Sequence, residues 1–287
     1  MQYIKKNNWS ISRIGLGSWV FGKTNWGQVS DKESVNVINT AIDLGIKLID
    51  TAPIYGFGHA ESIIGKTIKP SRDNIILATK CGLRKTNKGI IHDLSNNFII
   101  KECENSLKRL QADVIDLYQC HWPDSTTPLE ETAEALRQLL SQGKIKNIGL
   151  CNFSVDQIEK MQKLLPLTSL QFQHSLLKPN QESMEYAINK QLISLTYGTL
   201  HGGLLTGKYT NPPQESPKTA KSFFYDINNQ EQWNKTQKII NEFALKAAEN
   251  NSTITAEILD YNIKQEVTST LIGCRNTKQL LQNIKML

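Results

Sequence analysis

The chain has 287 residues, enough to bury a sizeable core within one large domain. Its 33 Lys plus Arg against 27 Asp plus Glu give 33 − 27 = +6, too mild a balance for a dedicated nucleic-acid binder, although a local basic cleft still suits a small polyanion. Five cysteines, at 81, 103, 120, 151 and 274, form no Cys-x-x-Cys pair and so suggest neither a zinc framework nor a redox dithiol, and no apolar run has the length of a signal peptide or a membrane span. The expectation is therefore a cytoplasmic protein with no membrane partner, no nucleic-acid partner and no metal, a monomer by default.

In chain order, Tyr3-Ile4 and Trp9-Ser10-Ile11 read as a small hairpin turning at residues 6–8. Short β-rich segments then alternate with amphipathic helical patterns, as expected of repeated βα units on a parallel sheet. Strands are expected near 13–17, 46–50, 74–80, 113–120, 145–150, 168–173, 192–197 and 269–273. Eight βα units favour closure into a (β/α)8 barrel, a single domain over residues 1–287.

Two helices show the local logic. Ser30-Asp31 offers an N-cap, Val35, Val37, Ile38, Ala41, Ile42 and Leu44 make an apolar stripe, and Gly45 ends it. Over 97–110, Ile99, Cys103, Leu107 and Leu110 recur at three to four residues while Lys101, Glu104 and Lys108 face water. The region 210–229, with Pro212-Pro213, Pro217 and Asn228-Asn229, reads as a loop or insertion.

Chemistry is expected where apolar runs end. Leu48-Ile49-Asp50-Thr51-Ala52-Pro53-Ile54-Tyr55-Gly56 joins a strand to an ionisable pair, Ile75–Lys80 ends in a lysine, and Val114–His121 ends in a histidine. All strands of a parallel barrel open their C-termini on one face, so Asp50, Tyr55, Lys80 and His121 should converge there. A phenol with an ordinary pKa of about 10 is a sluggish acid near neutrality and needs a cation beside it, which Lys80 supplies. A lysine in a partly dry cleft tends to lose its proton, and pairing with Asp50 opposes that. The His121 imidazole either orients a substrate oxygen by a hydrogen bond or shares the proton-donor role at lower pH.

Of the other histidines, His59 at a helix start and His92 among loop residues read as surface residues, whereas His174 and His201 follow the sixth and seventh strands and are expected to border the cleft. Gly15-Leu16-Gly17-Ser18-Trp19-Val20 begins like a dinucleotide fingerprint but has Val where the third glycine belongs, so a Rossmann domain is not expected. Gly56 and Gly58 read as the tight turn that presents Tyr55.

At the four convergent positions the chain resembles the aldo-keto reductases, whose proton-transfer tetrad of Asp, Tyr, Lys and His lies on successive strand ends. The match extends through Gly15–Trp19, Ile148–Phe153, Gly203–Tyr209 and Gly273-Cys274-Arg275. The resemblance implies a (β/α)8 barrel whose N-terminal hairpin closes the barrel bottom. It also implies NADP(H)-dependent reduction of an aldehyde or ketone, with hydride from nicotinamide C4 and Tyr55 as proton donor. The implied alternatives are an NAD-dependent sugar or polyol dehydrogenase of the same fold and a cofactor-binding regulatory subunit with slow turnover.

Cofactor contacts are implied at several strand ends. Gly17, Ser18 and Trp19 follow the first strand, Cys151, Asn152 and Gln171 would hold the carboxamide, and Tyr197 would stack on the nicotinamide. Gly198, Thr199, Leu200, Gly203 and Leu205 would wrap the pyrophosphate, with Gly273, Arg275, Gln279 and Asn283 at the adenosine end and Arg275 gripping the 2′-phosphate. Three residues depart from the family pattern: Cys151 for Ser, Thr199 for Pro and His174 for Tyr. The substrate pocket is expected to be partly apolar, bordered by Trp19, Phe21, Trp26, Phe57 and Trp122.

Overall fold

The computed structural model describes residues 1–6, 8–23, 27, 29–214, 216 and 219–284. Strands β1 (Tyr3–Lys6) and β2 (Trp9–Ser12) form the expected antiparallel hairpin, pairing Ile4 with Ile11. Eight further strands close a barrel in chain order: β3 (Ile14–Gly17), β4 (Leu48–Asp50), β5 (Ile76–Cys81), β8 (Leu117–Cys120), β9 (Ile148–Cys151), β10 (Ser169–Gln173), β11 (Ile193–Tyr197) and β12 (Ser269–Ile272), which pairs back onto β3. All eight pairings are parallel. Between β5 and β8 a second hairpin, β6 (Leu83–Thr86) with β7 (Gly89–His92), stands outside the barrel.

Alternating side chains divide the core into two layers. Inside the barrel, Leu48, Ala78, Leu117, Ile193, Leu195 and Leu271 pack together, and Ile11 of the hairpin inserts among them. The hairpin thus plugs the N-terminal end, removing apolar surface from water there. The larger layer lies between barrel and helices, where Leu16, Ile49, Leu77 and Ile148 meet Val37, Ile64, Ile99 and Leu136.

The helices follow their predicted signals. The Ser30 hydroxyl accepts from the Glu33 backbone N–H to cap α1 (Asp31–Asp43), which buries Val37, Ile38 and Ala41, and Gly45 leaves it at φ +83°. The helices α2 (His59–Ile68), α3 (Asn96–Leu110), α4 (Leu129–Ser141), α5 (Val155–Gln162) and α6 (Gln181–Asn189) follow, α3 burying Ile99, Cys103 and Leu110. After β11 come α7 (Ala220–Tyr225), α8 (Gln230–Glu249) and α9 (Ile254–Lys264), and α10 (Thr277–Asn283) closes the series.

Two expectations need correction. The region 210–229 is not simply a loop: Thr219 caps α7 by accepting from Ser222 N–H, and Tyr225 and Ile227 are buried. His92 lies in strand β7 rather than in a loop, its Nδ1 2.8 Å from the Pro123 carbonyl. No helix among the described residues is long and apolar enough to cross a membrane.

Candidate active site

Four ionisable side chains meet where the sequence places them, at the C-terminal mouth of adjacent strands. Asp50 ends β4, Lys80 is the penultimate residue of β5 and His121 follows β8, while Tyr55 comes from the turn after β4. Parallel register sets Lys80 beside Gln119, two residues before His121. The Lys80 ammonium is fully buried and donates to Asp50 Oδ2 (2.5 Å), the Thr51 carbonyl (3.0 Å) and Tyr55 Oη (3.4 Å). The Tyr55 and His121 rings meet edge to face, 5.8 Å between centroids.

Burial and charge compete at each of these groups. Desolvation, the largest single influence, would push Lys80 down, but the Asp50 carboxylate, joined by Tyr55 and Cys151, outweighs it and the net shift is upward, so the ammonium is kept. Burial pushes Tyr55 up to about 12; Lys80 pulls against that rise and Asp50 adds to it. The expected lowering by Lys80 is therefore present but does not dominate. Desolvation, with the Lys80 charge second, holds His121 well below the usual imidazole range, so it is neutral near pH 7.

The Tyr55 turn is held by close backbone approach. A Cβ on Gly22 would stand 2.6 Å from Gly56 N, and a Cβ on Gly56 would meet Gly22 backbone equally badly. Gly56 (φ 63°), Phe57 (φ 53°) and Gly58 (φ 93°) all turn left-handed, which explains the glycines on either side of Phe57. Beneath the cluster, Gln171 Nε2 (2.9 Å) and Gln119 Nε2 (3.2 Å) donate to Asp50 Oδ1. Gln119 was missed by sequence reasoning, yet residues 119 and 121 share a face in strand alternation, which is the signal that finds it.

The cluster forms part of the wall of a cavity of about 890 Å3, with Asp50, Tyr55 and His121 in its lining. Gly17, Ser18 and Trp19 line it at and just past the end of β3, joined by Asn152 after β9, Gln171 within β10 and Tyr197 at the end of β11. Tyr197 Oη donates to Asn152 Oδ1 (2.8 Å), and Asn152 Nδ2 donates to the His121 carbonyl (3.0 Å), which ties this wall to the ionisable cluster. Gly198, Thr199, Leu200 and Gly203 continue the lining, and Gly273, Arg275, Gln279 and Asn283 complete it around the start of α10. Gln279 Oε1 accepts from the Arg275 backbone N–H at 2.9 Å. Phe57 and Trp122 also line the cavity.

Other expected residues stand elsewhere. Cys151, the last residue of β9, is wholly buried near Lys80 and Asp50 and absent from the cavity wall, whereas Asn152, just past the strand end with a left-handed backbone (φ 64°), lines it. Leu205 packs with Phe243 and Ile258 behind the 201–206 turn, and Phe21 is wholly buried in the layer between barrel and helices. His174 does not line the cavity; its Nδ1 accepts from Asn180 N–H before α6, whereas His201 does line it. Trp26 lies outside the described residues. Unanticipated lining comes from Lys208, Leu83 and Ile90, Phe223 and Phe224. Lys208 lies inside the glycine-containing motif 203–209, so its basic charge beside a phosphate-type loop was a readable signal.

The residues suit an elongated anionic ligand. The hydroxyls of Ser18 and Thr199 are buried with no hydrogen-bond partner among the described residues, although both residues line the cavity. Gly198, Gly202 and Gly203 have φ of 73°, 64° and 96°, the left-handed region that favours glycine, and Lys208 and Arg275 add positive charge to the same lining.

An eight-stranded parallel barrel with this cluster at its mouth belongs to one class: residues 13–287 match the Aldo/keto reductase family, and the chain is a member of it. It is 48% identical over 203 residues to the aldo-keto reductase YhdN of Bacillus subtilis (strain 168), a stretch covering 69% of this chain and 61% of that one. It is 31% identical over 297 residues to the NADH-specific methylglyoxal reductase of Escherichia coli (strain K12), covering 97% and 90% of the two chains. Among solved structures, the glycerol dehydrogenase AKR11B4 from Gluconobacter oxydans superposes with a TM-score of 0.89 at 32% identity, covering 98% of this chain and 89% of that one.

Proposed function

We propose that this cleft interconverts an aldehyde or ketone and its alcohol with a nicotinamide cofactor, and that NADP(H) is the cofactor it prefers. The observation that carries the reading is the buried Lys80 ammonium set between Asp50 Oδ2 and Tyr55 Oη at the floor of a long, partly cationic cavity. When bound, the nicotinamide would supply the hydride.

The chain's own residues supply the rest. Tyr55 Oη stays protonated near neutrality and gives its proton to the developing alkoxide, while Lys80 beside it stabilises the phenolate that remains. Asp50 keeps Lys80 charged, and Gln119 and Gln171 fix Asp50 from below. His121, neutral, donates a hydrogen bond to the carbonyl oxygen and so orients it against Tyr55. Asn152 and Gln171 would hold the carboxamide, Tyr197 would face the nicotinamide ring, and Ser18, Thr199 and the 198–203 backbone would meet the phosphates with Lys208. Arg275, exposed and without an ion pair among the described residues, would take a 2′-phosphate.

The methylglyoxal reductase is described as NADH-specific, so the choice of cofactor needs a direct test. The decisive experiment is loss of nicotinamide absorbance with a panel of carbonyls, for the wild type and Tyr55→Phe, with either cofactor. The variant should lose at least about 10²-fold in turnover with cofactor affinity kept. Near-native reduction by Tyr55→Phe would remove Tyr55 from the role of proton donor.

A further inference from the structure

The two ends of the cavity differ in chemistry. Its charged lining consists of Asp50 beneath the cluster, Lys208 beside Gly203, and Arg275 before α10. Around Tyr55 Oη and His121 the described wall is instead Trp19, Ile54, Phe57, Trp122 and Phe224, with Leu83 and Ile90 of the β6–β7 hairpin beyond them. The apolar character continues outward, since Phe57 is 52%, Ile90 54% and Phe223 79% exposed.

Aromatic rings in this wall touch in series. Trp19 stacks with Tyr55 at 5.9 Å and 19°, and Phe224 meets Trp19 edge-on at 5.5 Å and 84°. Phe224 also meets Trp122 at 6.3 Å, so it bridges the two tryptophans beside the reacting groups. Although Phe224 comes from a six-residue helix outside the barrel, its backbone is latched. Gln173 Nε2 donates to the Phe224 carbonyl (3.3 Å), and His201 Nε2 lies 3.0 Å from the Tyr225 carbonyl. That contact requires the Nε2–H tautomer of His201, which leaves Nδ1 to accept from the Ser175 hydroxyl at 3.0 Å. The Tyr225 ring lies against Gly198 and Gly202, where a Cβ on either would come within 2.9 Å of it.

We propose that the substrate is an uncharged carbonyl compound whose carbonyl is joined to a flat apolar group, above all an aryl group, and that Phe224 is a specificity-determining residue that seats it. The inference rests on the oxidoreductase reading above. A carboxylate or phosphate substituent would lose its hydration here with no cation among the described residues of the wall around it, and a polyol would find few partners for its hydroxyls there. Lys85 is the cation that reaches this rim among the described residues, and its Nζ is already over the Phe57 ring at 3.9 Å. An aryl group instead matches the quadrupoles of Trp122 and Phe224 and buries apolar surface against them.

The test compares kcat/KM for benzaldehyde, 4-carboxybenzaldehyde and glyceraldehyde on the wild type, Phe224→Ala and Phe224→Leu. Benzaldehyde should exceed the other two by about tenfold or more on the wild type. Phe224→Ala should lower the benzaldehyde-to-glyceraldehyde ratio by about tenfold, mainly through KM, and Phe224→Leu should recover part of it. A preference for glyceraldehyde overturns the substrate class, and a preference for the carboxylated compound points to Lys85 as an anion site and overturns it equally. An unchanged ratio in Phe224→Ala, with Tm near that of the wild type, removes Phe224 from specificity. Reduction of none of the three, with cofactor bound, sinks the oxidoreductase reading itself and this inference with it; reduction of glyceraldehyde alone sinks only the inference.

Discussion

Replacing Lys80 by Met separates the two tasks that the structure gives this lysine. Met fills a similar volume with an apolar stem, so the perturbation is chiefly loss of charge. Lys80 is fully buried and Asp50 is 3% exposed, so the carboxylate left behind has little access to water. Stranding one partner of a buried pair costs about 3–5 kcal/mol. Asp50 Oδ1 keeps its bonds from Gln171 and Gln119, which places the expected loss near about 3 kcal/mol. Urea unfolding monitored by circular dichroism measures it. Adding Asp50→Asn removes the stranded charge, so the double variant should regain most of that stability. Activity should behave differently: without the cation that opposes the rise of Tyr55, turnover should fall at least about 10²-fold in Lys80→Met and remain low in the double variant. Recovery of stability without recovery of rate is the signature of a lysine that acts on Tyr55. A Lys80→Met protein with wild-type stability and turnover would refute both halves of the reasoning, and full recovery of rate in the double variant would reduce Lys80 to a structural partner of Asp50.

Arg275→Ala should weaken NADPH by about tenfold or more, the worth of one charge-assisted contact at roughly 1.5–3 kcal/mol, while NADH affinity changes little. Fluorescence titration with both cofactors checks this, and a parallel loss would make the protein NAD-dependent or indifferent. His201 is 1% exposed and burial pushes its imidazole from an ordinary 6.5 down to about 4. The unfolded chain therefore binds the extra proton first as pH falls, and this group's contribution, present above pH 6.5, is lost between 6.5 and 4, to an extent of about 3 kcal/mol. Burial also lowers His121 and His174, which destabilise in the same direction, so the readout is the difference in urea midpoint between wild type and His201→Gln from pH 7.5 to 4.5. Equal slopes in the two proteins would dismiss His201 as a contributor. Gly22→Ala drives a Cβ to 2.6 Å from Gly56 N and should cost about 1–3 kcal/mol of stability, with a larger proportional loss of turnover because the Tyr55 turn must shift. A stable, fully active Gly22→Ala would show that the turn tolerates the displacement.

Features governed by local periodicity and by the end of an element were legible in the sequence. Alternating β and helical patterns count eight βα units, Ser30 and Gly45 bracket α1, and the ionisable residues at 50, 80 and 121 close apolar runs that any parallel barrel must bring to one mouth. What depended on packing between distant segments was not legible. Cys151 and Asn152 are neighbours in sequence, but β9 ends between them and the left-handed backbone of Asn152 takes it to the cleft while Cys151 stays buried, and Phe21 turns inward where Trp19 does not. The β6–β7 hairpin escaped notice because both its faces are largely exposed and leave no apolar alternation. The 220–225 segment carries turn-forming residues on both sides, and only its latch to Gln173 and His201, 24 to 51 residues away along the chain, sets Phe224 against Trp19 and Trp122. The balance at Tyr55 is likewise tertiary. The residue types predict a lysine that lowers a phenol, whereas the depth of burial, which no local pattern encodes, decides that desolvation outweighs it.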